Sequence, residues 1–289
     1  MSDRLNARAA GAALITILFW SSAFAGIRAG LRSYSPVHLA LLRFLVASAV
    51  LALLAVARRL KLPPRHDLPG IALLGMIGIT VYHVALNIGE VTVTAGAASL
   101  IIAAVPIFSA LLATAFTGER LTRWGWAGIL LSFGGVALIV LGEGEGVRFD
   151  PGALLILLSA LASAIYFVFQ RRYLQRSSAL AFTTVSIWFG TLVMLVFLPG
   201  LVGALRAAPL ADTLAVVYLG VFPAAIAYAT WNYALSQAPA SIVSSMLYVN
   251  PVLAILIAWV WLGELPDGAA LVGGAIALAG VVIVNTRGR

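Results

Sequence analysis

The chain alternates long apolar stretches with short polar segments. A helix that crosses a hydrocarbon layer of about 30 Å needs about 20 apolar residues at a rise of 1.5 Å each. Stretches free of Asp, Glu, Lys and Arg predict ten transmembrane spans, numbered here in chain order. They cover approximately residues 9–29, 36–57, 68–88, 92–116, 124–142, 151–170, 179–201, 211–235, 240–262 and 268–286. The pattern predicts an all-α, polytopic membrane protein with no room for an extramembrane domain.

Composition supports a membrane protein and removes several chemical classes. Of the 289 residues, 62% are hydrophobic and 10% are charged, whereas a soluble domain carries about 25% charged residues. The sequence has no cysteine, which excludes a disulfide scaffold, a cysteine nucleophile and any zinc or iron–sulfur site with a cysteine ligand. We expect no cofactor and no metal site.

The basic residues indicate topology rather than a nucleic-acid partner. The formal net charge is +8, but the 18 basic residues fall in pairs and triplets between apolar runs instead of forming one stripe. With a cytoplasmic amino terminus, 13 of them lie on the inner side and 4 on the outer side, and Arg43 lies within span 2. This asymmetry predicts a multi-pass protein of the inner (cytoplasmic) membrane with both termini in the cytoplasm.

The two halves of the sequence repeat. A shift of 145 residues places Asn87 on Asn232, Ser99 on Ser244 and Pro106 on Pro251, and a shift of 143 places Phe24 on Phe167. We therefore expect a first five-helix repeat at 1–142, a linker at 143–150 and a second repeat at 151–289. The repeat favours keeping span 1, although Ala23-Phe24-Ala25 also resembles a signal-peptide cleavage site.

The number of spans in each repeat predicts their orientation. Five is an odd number, so the second repeat must enter the membrane from the opposite side. Inverted repeats of this kind are typical of secondary transporters, in which a central site opens alternately to each side.

Short motifs carry a resemblance to a known family. They are Phe19-Trp20-Ser21-Ser22, Leu42-Arg43-Phe44, Val105-Pro106 before Gly118-Glu119-Arg120-Leu121, and Asn250-Pro251 before Gly263-Glu264. Over its whole length the chain resembles the EamA-type drug/metabolite transporter superfamily. The resemblance implies export of small metabolites, and the aromatic content is similar to that of the YddG-like amino-acid exporters. The motifs do not select a substrate.

Polar and aromatic residues in the middle of the spans are the candidate substrate site. His83 and Asn87 lie one turn apart on span 3, beside Tyr82, and the 145-residue shift places the pair on Tyr228 and Asn232, beside Trp231. Hydrogen bonds between neighbouring helices are the alternative role for each of these residues. The predicted set is completed by Trp20, Phe24, Ser99, Tyr166, Ser244 and Tyr248, together with Arg43.

The sequence leaves two alternative roles for each of three features of the spans. Arg43 is either a counter-charge for a substrate carboxylate or a structural and snorkelling residue, because an isolated cation there costs about 3 kcal/mol. Pro106 and Pro251 are either paired hinges or static kinks. The small-residue patterns that begin at Gly128 and Gly273 either pack spans 5 and 10 together or form a dimer seam, so the protein is expected to be a monomer or a homodimer.

The acidic residues lie in loops or at helix ends, with Glu90 at the end of span 3. Only His83 is a mid-span group that titrates near neutrality, so we expect facilitated or weakly coupled transport. Aromatic or large neutral amino acids are the first substrate class, because the pocket residues are aromatic and lack the paired cations that phosphorylated solutes need. Export of drugs or other metabolites is the alternative. A passive channel or an intramembrane enzyme is the rival class, although the motifs of the known intramembrane catalytic sites are missing.

Overall fold

The computed structural model describes residues 7–117, 121–142, 150–237, 243 and 246–287, and every regular element within them is helical. The predicted all-α class is confirmed. Of the predicted linker 143–150, only Asp150 is among the described residues. The α-helices, in chain order, are α1 (Ala7–Gly30), α2 (Pro36–Ala57), α3 (Leu68–Gly75), α4 (Tyr82–Gly89), α5 (Ala95–Ile102), α6 (Val105–Thr117), α7 (Arg123–Gly142), α8 (Pro151–Leu174), α9 (Ala179–Met194), α10 (Leu201–Ala207), α11 (Leu210–Leu219), α12 (Ala227–Gln237), α13 (Asn250–Leu262) and α14 (Gly268–Arg287).

Within the described residues, seven helical segments are long and apolar enough to cross a membrane. They correspond to predicted spans 1, 2, 3, 4, 6, 7 and 8, and cover Ala7–Gly30, Pro36–Ala57, Arg65–Gly89, Ala95–Phe116, Pro151–Leu174, Ala179–Phe197 and Leu210–Gln237. Further apolar helical stretches lie at predicted spans 5, 9 and 10, namely Arg123–Ile139, Met246–Leu262 and Gly268–Val284. The chain is therefore a multi-pass membrane protein.

The helix starts follow local capping chemistry, and the same cap occurs in both halves. The Ser35 hydroxyl accepts a hydrogen bond from the backbone N–H of His38 at 3.3 Å, where α2 begins. The Ser178 hydroxyl, 143 residues later, does the same for Ala181 at 3.2 Å at the start of α9. A serine at this position supplies a partner for a backbone N–H that the helix itself leaves unpaired.

Spans 3 and 8 contain the same kind of irregularity at equivalent positions. A π-helical turn, in which the chain holds an extra residue, covers Met76–Val81 in span 3 and Gly220–Ile226 in span 8. Adding 145 to the first range gives 221–226. Turns of this type often occur at functional sites, and here each turn directly precedes a pair of candidate site residues.

Spans 4 and 9 are interrupted just before their prolines. The helix of span 4 breaks at Ala103–Ala104, and a 3₁₀ turn at Met246–Val249 precedes α13 in span 9. Pro106 and Pro251 therefore lie in the first turn of α6 and of α13. A proline in a first helical turn removes no helical hydrogen bond, so the bend is located in the residues that precede each proline.

Spans 5 and 10 of the same chain pack against each other at glycine residues. A methyl group added at Gly135 would lie 2.4 Å from the carbonyl oxygen of Gly273, and one added at Gly273 would lie 2.6 Å from the oxygen of Gly135. Gly128 and Gly280 are related in the same reciprocal way, at 2.7 and 2.5 Å. The two backbones touch and run antiparallel, which assigns the small-residue patterns to packing within one chain.

Span 1 is anchored to the second half of the chain. The hydroxyls of Thr16 and Thr230 lie 2.7 Å apart, and the indole N–H of Trp20 donates to the carbonyl of Pro223 at 3.2 Å. The Ser21 hydroxyl donates to the side chain of Asn250 at the start of α13. These bonds hold the aromatic face of span 1 against spans 8 and 9, around the cavity described next.

Candidate functional site: a central aromatic cavity

A cavity lies at the centre of the helices. Its walls come from spans 1, 2, 3, 4, 6, 8 and 9, so both halves of the sequence contribute. The predicted site residues that line it are Trp20, Phe24, Arg43, Tyr82, His83, Ser99, Tyr228 and Tyr248, together with Pro106 and Pro251.

One wall is a cluster of aromatic rings centred on Trp20. Its ring centroid lies 5.4 Å from that of Tyr228 in an edge-to-face arrangement, 5.2 Å from Trp231 and 6.1 Å from Phe167 in a stacked arrangement. Rings at these separations attract one another beyond the effect of burial alone. Because the Trp20 indole also donates to a backbone carbonyl, its ring is held in place and presents a fixed apolar surface to the cavity.

The cavity lining also carries polar groups. The His83 ring lies 4.4 Å from Phe44 and 4.5 Å from Tyr82, measured between centroids, and its Nδ1 is 2.8 Å from the carbonyl oxygen of Ile79. That carbonyl belongs to the π-helical turn of span 3, so the irregular backbone helps to orient the imidazole.

Arg43 is the basic residue of the cavity lining. It is 2% exposed, and among the described residues neither its Nε nor its Nη1 has a hydrogen-bond partner. Its guanidinium carbon lies 5.5 Å from the centroid of the Phe44 ring. A buried cation with free donors is costly unless an anion or water satisfies them, so the cavity has an electrostatic requirement for a negatively charged or strongly accepting group.

Four of the predicted residues are buried behind the cavity surface instead of lining it. The amide of Asn87 donates to the carbonyl of Pro36 at 3.0 Å, and that of Asn232 donates to the hydroxyl of Thr183 at 2.6 Å. These are the helix-to-helix bonds that the sequence left open as the alternative. Tyr166 and Trp231 pack behind Tyr228 and Trp20, respectively. Ser244 lies outside the described residues.

Among the polar and aromatic residues of the lining, three were not predicted, namely Ser163, Phe167 and Asn250. Two of them carried a detectable signal. Phe167 is the repeat partner of Phe24 at the 143-residue shift, and Asn250 precedes a proline that was itself selected. Ser163 had no distinguishing neighbours in sequence.

An ion pair joins the two halves beside the cavity. The Arg28 guanidinium donates to the Glu264 carboxylate at 3.1 and 3.2 Å, and its Nη1 donates to the backbone carbonyl of Glu90 at 2.7 Å. Arg28 is not among the predicted site residues. The structure shows that it connects the end of span 1 to the ends of spans 3 and 9, and we refer to these residues as the Arg28 bridge.

Comparisons with known proteins agree with this architecture. A model of the EamA-like transporter family matches residues 7–141 and, again, residues 150–286. The chain is 46% identical over 267 residues to the "Uncharacterized transporter YdfC" of Bacillus subtilis strain 168, covering 92% of this chain and 87% of that protein. It is 40% identical over 280 residues to the "Probable terminal-alkyne amino-acid exporter" of Streptantibioticus cattleyicolor, covering 97% and 94%.

A protein of known crystal structure has the same fold, with a TM-score of 0.64 at 24% identity over 96% of both chains. The names of both sequence relatives indicate transporters. The family model accounts for nearly the whole chain in two consecutive copies. The protein is therefore a membrane transporter that belongs to the EamA-like transporter family of the drug/metabolite transporter superfamily.

Proposed function

We propose that the protein exports aromatic or large neutral amino acids across the inner membrane by alternating access through the central cavity. The observation that carries this proposal is the juxtaposition of one unpaired buried guanidinium with a wall of aromatic rings in the same cavity. The name of the Streptantibioticus relative, an amino-acid exporter, supports the same substrate class.

The carboxylate of the substrate is assigned to Arg43. A guanidinium binds a carboxylate through two parallel hydrogen bonds, and charge-assisted bonds of this kind are the strong ones. The Nε and Nη1 atoms of Arg43 have no hydrogen-bond partner among the described residues, so donors on both sides of its guanidinium are available to a carboxylate. Of the described residues that line the cavity, Arg43 is the only Arg or Lys, which suits a single carboxylate better than a phosphate group.

The side chain of the substrate is assigned to the aromatic wall. Trp20, Phe24 and Phe167 present apolar surface to the cavity. Burying an aromatic side chain there removes a large apolar area from water and places it within ring-stacking distance of fixed partners. A small hydrophilic amino acid would leave this surface unfilled.

Alternating access is proposed on the basis of two inverted five-span repeats, at 1–142 and 151–289. Support comes from the two matches of the family model and from features that recur at one sequence shift: the π-helical turns and the breaks before Pro106 and Pro251. The reciprocal contacts of spans 5 and 10 also fit, because related residues exchange roles across a two-fold axis. In such carriers the halves rock around a central site.

The proposed topology places both termini in the cytoplasm and can be tested directly. The natural sequence has no cysteine, so single cysteines can be introduced without background. We expect Arg32→Cys, in the loop between spans 1 and 2, to react with an impermeant maleimide from outside the cell. Gln175→Cys, at the equivalent loop of the second repeat, should react only after permeabilisation. Reaction of both from the same side would contradict the inverted arrangement.

The substrate assignment is tested by counterflow in proteoliposomes. Vesicles loaded with phenylalanine should take up labelled phenylalanine transiently and saturably, whereas a passive channel would not give counterflow and an enzyme would yield a covalent product. Glycine and phenylalanine amide should compete at least about tenfold less well, since each lacks one recognised group. Equal competition by carboxylate-free amphiphilic drugs would instead indicate a multidrug exporter.

The role of Arg43 is tested by substitution. Arg43→Gln should raise the half-saturation concentration of phenylalanine by about 10- to 100-fold, the effect expected from losing a charged hydrogen-bond partner. It should not alter the weak competition by phenylalanine amide. Arg58→Gln, at an exposed position after α2, is the matched control. An equal loss for phenylalanine and its amide would show that Arg43 is structural.

A further inference from the structure

The Arg28 bridge is a contact between the two halves of the chain that depends on a single side chain, that of Arg28. Arg28 lies on span 1, and Glu264 follows span 9. The carbonyls of Glu90 and Val91, which accept from Arg28, follow span 3. The side chains of Arg28 and Glu264 are 27% and 26% exposed. Ile27, the residue before Arg28, lines the cavity, so the bridge lies immediately beyond one end of it.

Glu90 brings a second carboxyl group to this bridge. Glu90 is 0% exposed, and neither of its carboxyl oxygens has a hydrogen-bond partner among the described residues. A charged carboxylate without partners is strongly disfavoured in such an environment. A neutral, protonated carboxyl is therefore the form that fits the arrangement in this structure.

The surroundings of Glu90 hold positive charge that an ionised carboxylate would attract. The charged and titratable groups on the neighbouring elements are Arg28 on span 1, Arg43 on span 2, Tyr82 on span 3, Asp150 at the start of span 6 and Glu264 after span 9. Asp150 is already engaged by the hydroxyl of Thr92 and the backbone N–H of Gly152. Of these groups, Arg28 has a guanidinium that donates a hydrogen bond to the backbone carbonyl of Glu90.

We propose that Glu90 is a proton-binding site that couples transport to the proton gradient by competing with Glu264 for Arg28. The inference rests on the proposed carrier function and adds a coupling ion to it. It assigns this role to Glu90 instead of His83, whose Nδ1 is already engaged by the carbonyl of Ile79.

The sign of the coupling follows from the charges. When Glu90 is neutral, Arg28 pairs with Glu264 and ties the two halves together at this end of the cavity. When Glu90 loses its proton, its carboxylate draws Arg28 away, so the bridge weakens and this end opens. In the proposed topology the Arg28 end faces outward, so a proton taken from outside closes the outer side. Its release inside permits the next outward opening with substrate.

The burial of Glu90 favours its protonated form. Burial raises the pKa of the Glu90 carboxyl well above its ordinary value, while the positive charges of Arg28 and Arg43 oppose that rise. Movement of Arg28 toward or away from Glu90 would therefore change its proton affinity. Reciprocally, the proton changes the stability of the bridge, as linkage requires.

The first experiment separates coupling from transport in proteoliposomes. In the wild type, an imposed pH gradient should drive accumulation of phenylalanine, and exchange at equal pH on both sides should depend on pH. In Glu90→Gln, we expect gradient-driven accumulation to fall at least about tenfold, and we expect the remaining exchange to be slow, because the outer side stays closed, and independent of pH. Asp212→Asn, whose carboxylate lies on the same side of the protein and accepts a hydrogen bond from Ser33, is the matched control and should behave as wild type.

The second experiment measures the opening of the Arg28 bridge and does not require transport. In an Ile27→Cys background, labelling by an impermeant maleimide from the Arg28 side should accelerate as the pH rises, by up to about tenfold per pH unit. Adding Glu90→Gln should hold labelling low at every pH, because the bridge stays closed. Adding Glu264→Gln should hold it high, and the Glu90→Gln/Glu264→Gln pair should restore labelling and exchange without coupling.

The outcomes are distinguishable. Absence of counterflow in the wild type would overturn the carrier function itself. Counterflow that is present but insensitive to pH, or Glu90→Gln that still accumulates substrate along a pH gradient, would overturn only the role of Glu90. Labelling that slows as the pH rises would also overturn it, since the sign of the competition would then be reversed.

Discussion

The glycine contacts between spans 5 and 10 give a prediction with an internal control one residue away. In Gly135→Ala, the new methyl carbon would lie 2.4 Å from the backbone oxygen of Gly273 and 2.4 Å from the backbone nitrogen of Ala277. Both are main-chain atoms, so no side chain can rotate to make room and the helices must separate. In Gly134→Ala, nothing lies within 4 Å of the new methyl carbon.

The magnitudes follow from two opposing terms. Overpacking a close contact costs about 1–3 kcal/mol, while replacing a mid-helix glycine by alanine gains about 0.8–1 kcal/mol of helix propensity. Gly135→Ala should therefore lose up to about 2 kcal/mol, and Gly134→Ala should gain up to about 1 kcal/mol. Because both variants share the gain in propensity, the separation between them equals the overpacking cost of about 1–3 kcal/mol, which corresponds to about 2–12 °C in apparent melting temperature for a protein of this size.

The assay is thermal unfolding of the detergent-solubilised protein, followed by tryptophan fluorescence or by size-exclusion chromatography. Thiol-reactive dyes are unsuitable because the chain has no cysteine. Gly273→Ala should lose as much as Gly135→Ala, because the contact is reciprocal. The reasoning fails if Gly134→Ala and Gly135→Ala melt together, or if only one partner of the reciprocal pair is sensitive.

Four further predictions concern the cavity and its supports. Trp20→Ala should weaken phenylalanine binding by about 1–3 kcal/mol in equilibrium binding and affect alanine much less, since the lost surface is the aromatic wall. Pro106→Ala with Pro251→Ala should slow exchange while leaving binding unchanged, and unchanged exchange rates would remove the hinge hypothesis. Asn232→Ala should lower stability by about 1–3 kcal/mol without altering substrate preference in competition assays. Because the pKa of Glu90 is raised, the native state binds the extra proton, so the melting temperature should fall as pH rises above about 4.5 toward that raised value, and Glu90→Gln should abolish the trend.

Hydropathy predicted the membrane class and the location of the helices well, because a bilayer imposes a length and a composition that are visible in sequence. The starts of several helices were also predictable, as at Pro36 and Pro151, where proline occupies the first turn. The irregular turns were not. The sequence of Met76–Val81 does not predict an extra residue in the turn, since it is mostly apolar like the rest of the span. The contact of this turn with span 7, where the Thr80 hydroxyl donates to the carbonyl of Gly190, is visible only in the structure.

The candidate site was predicted in its chemistry and only partly in its membership. Sequence spacing placed His83 and Asn87 on one face, but a helix face is wide enough that one of them reaches the cavity while the other bonds to Pro36. The importance of Glu90 was missed for a different reason. Its position at a helix end suggested contact with water, and only the packing of the neighbouring spans shows that the carboxyl is buried.

The seam between α7 and α14 has a consequence for the origin of the molecule. The glycine contacts there are made by residues that recur in both halves, since a shift of 145 places Gly128 on Gly273 and Gly135 on Gly280. A single five-helix ancestor that met an oppositely oriented copy of itself would have formed the same seam without any new residue. Joining two such genes end to end would then have freed each copy to diverge, which accounts for an arginine at position 43 on only one side of the cavity.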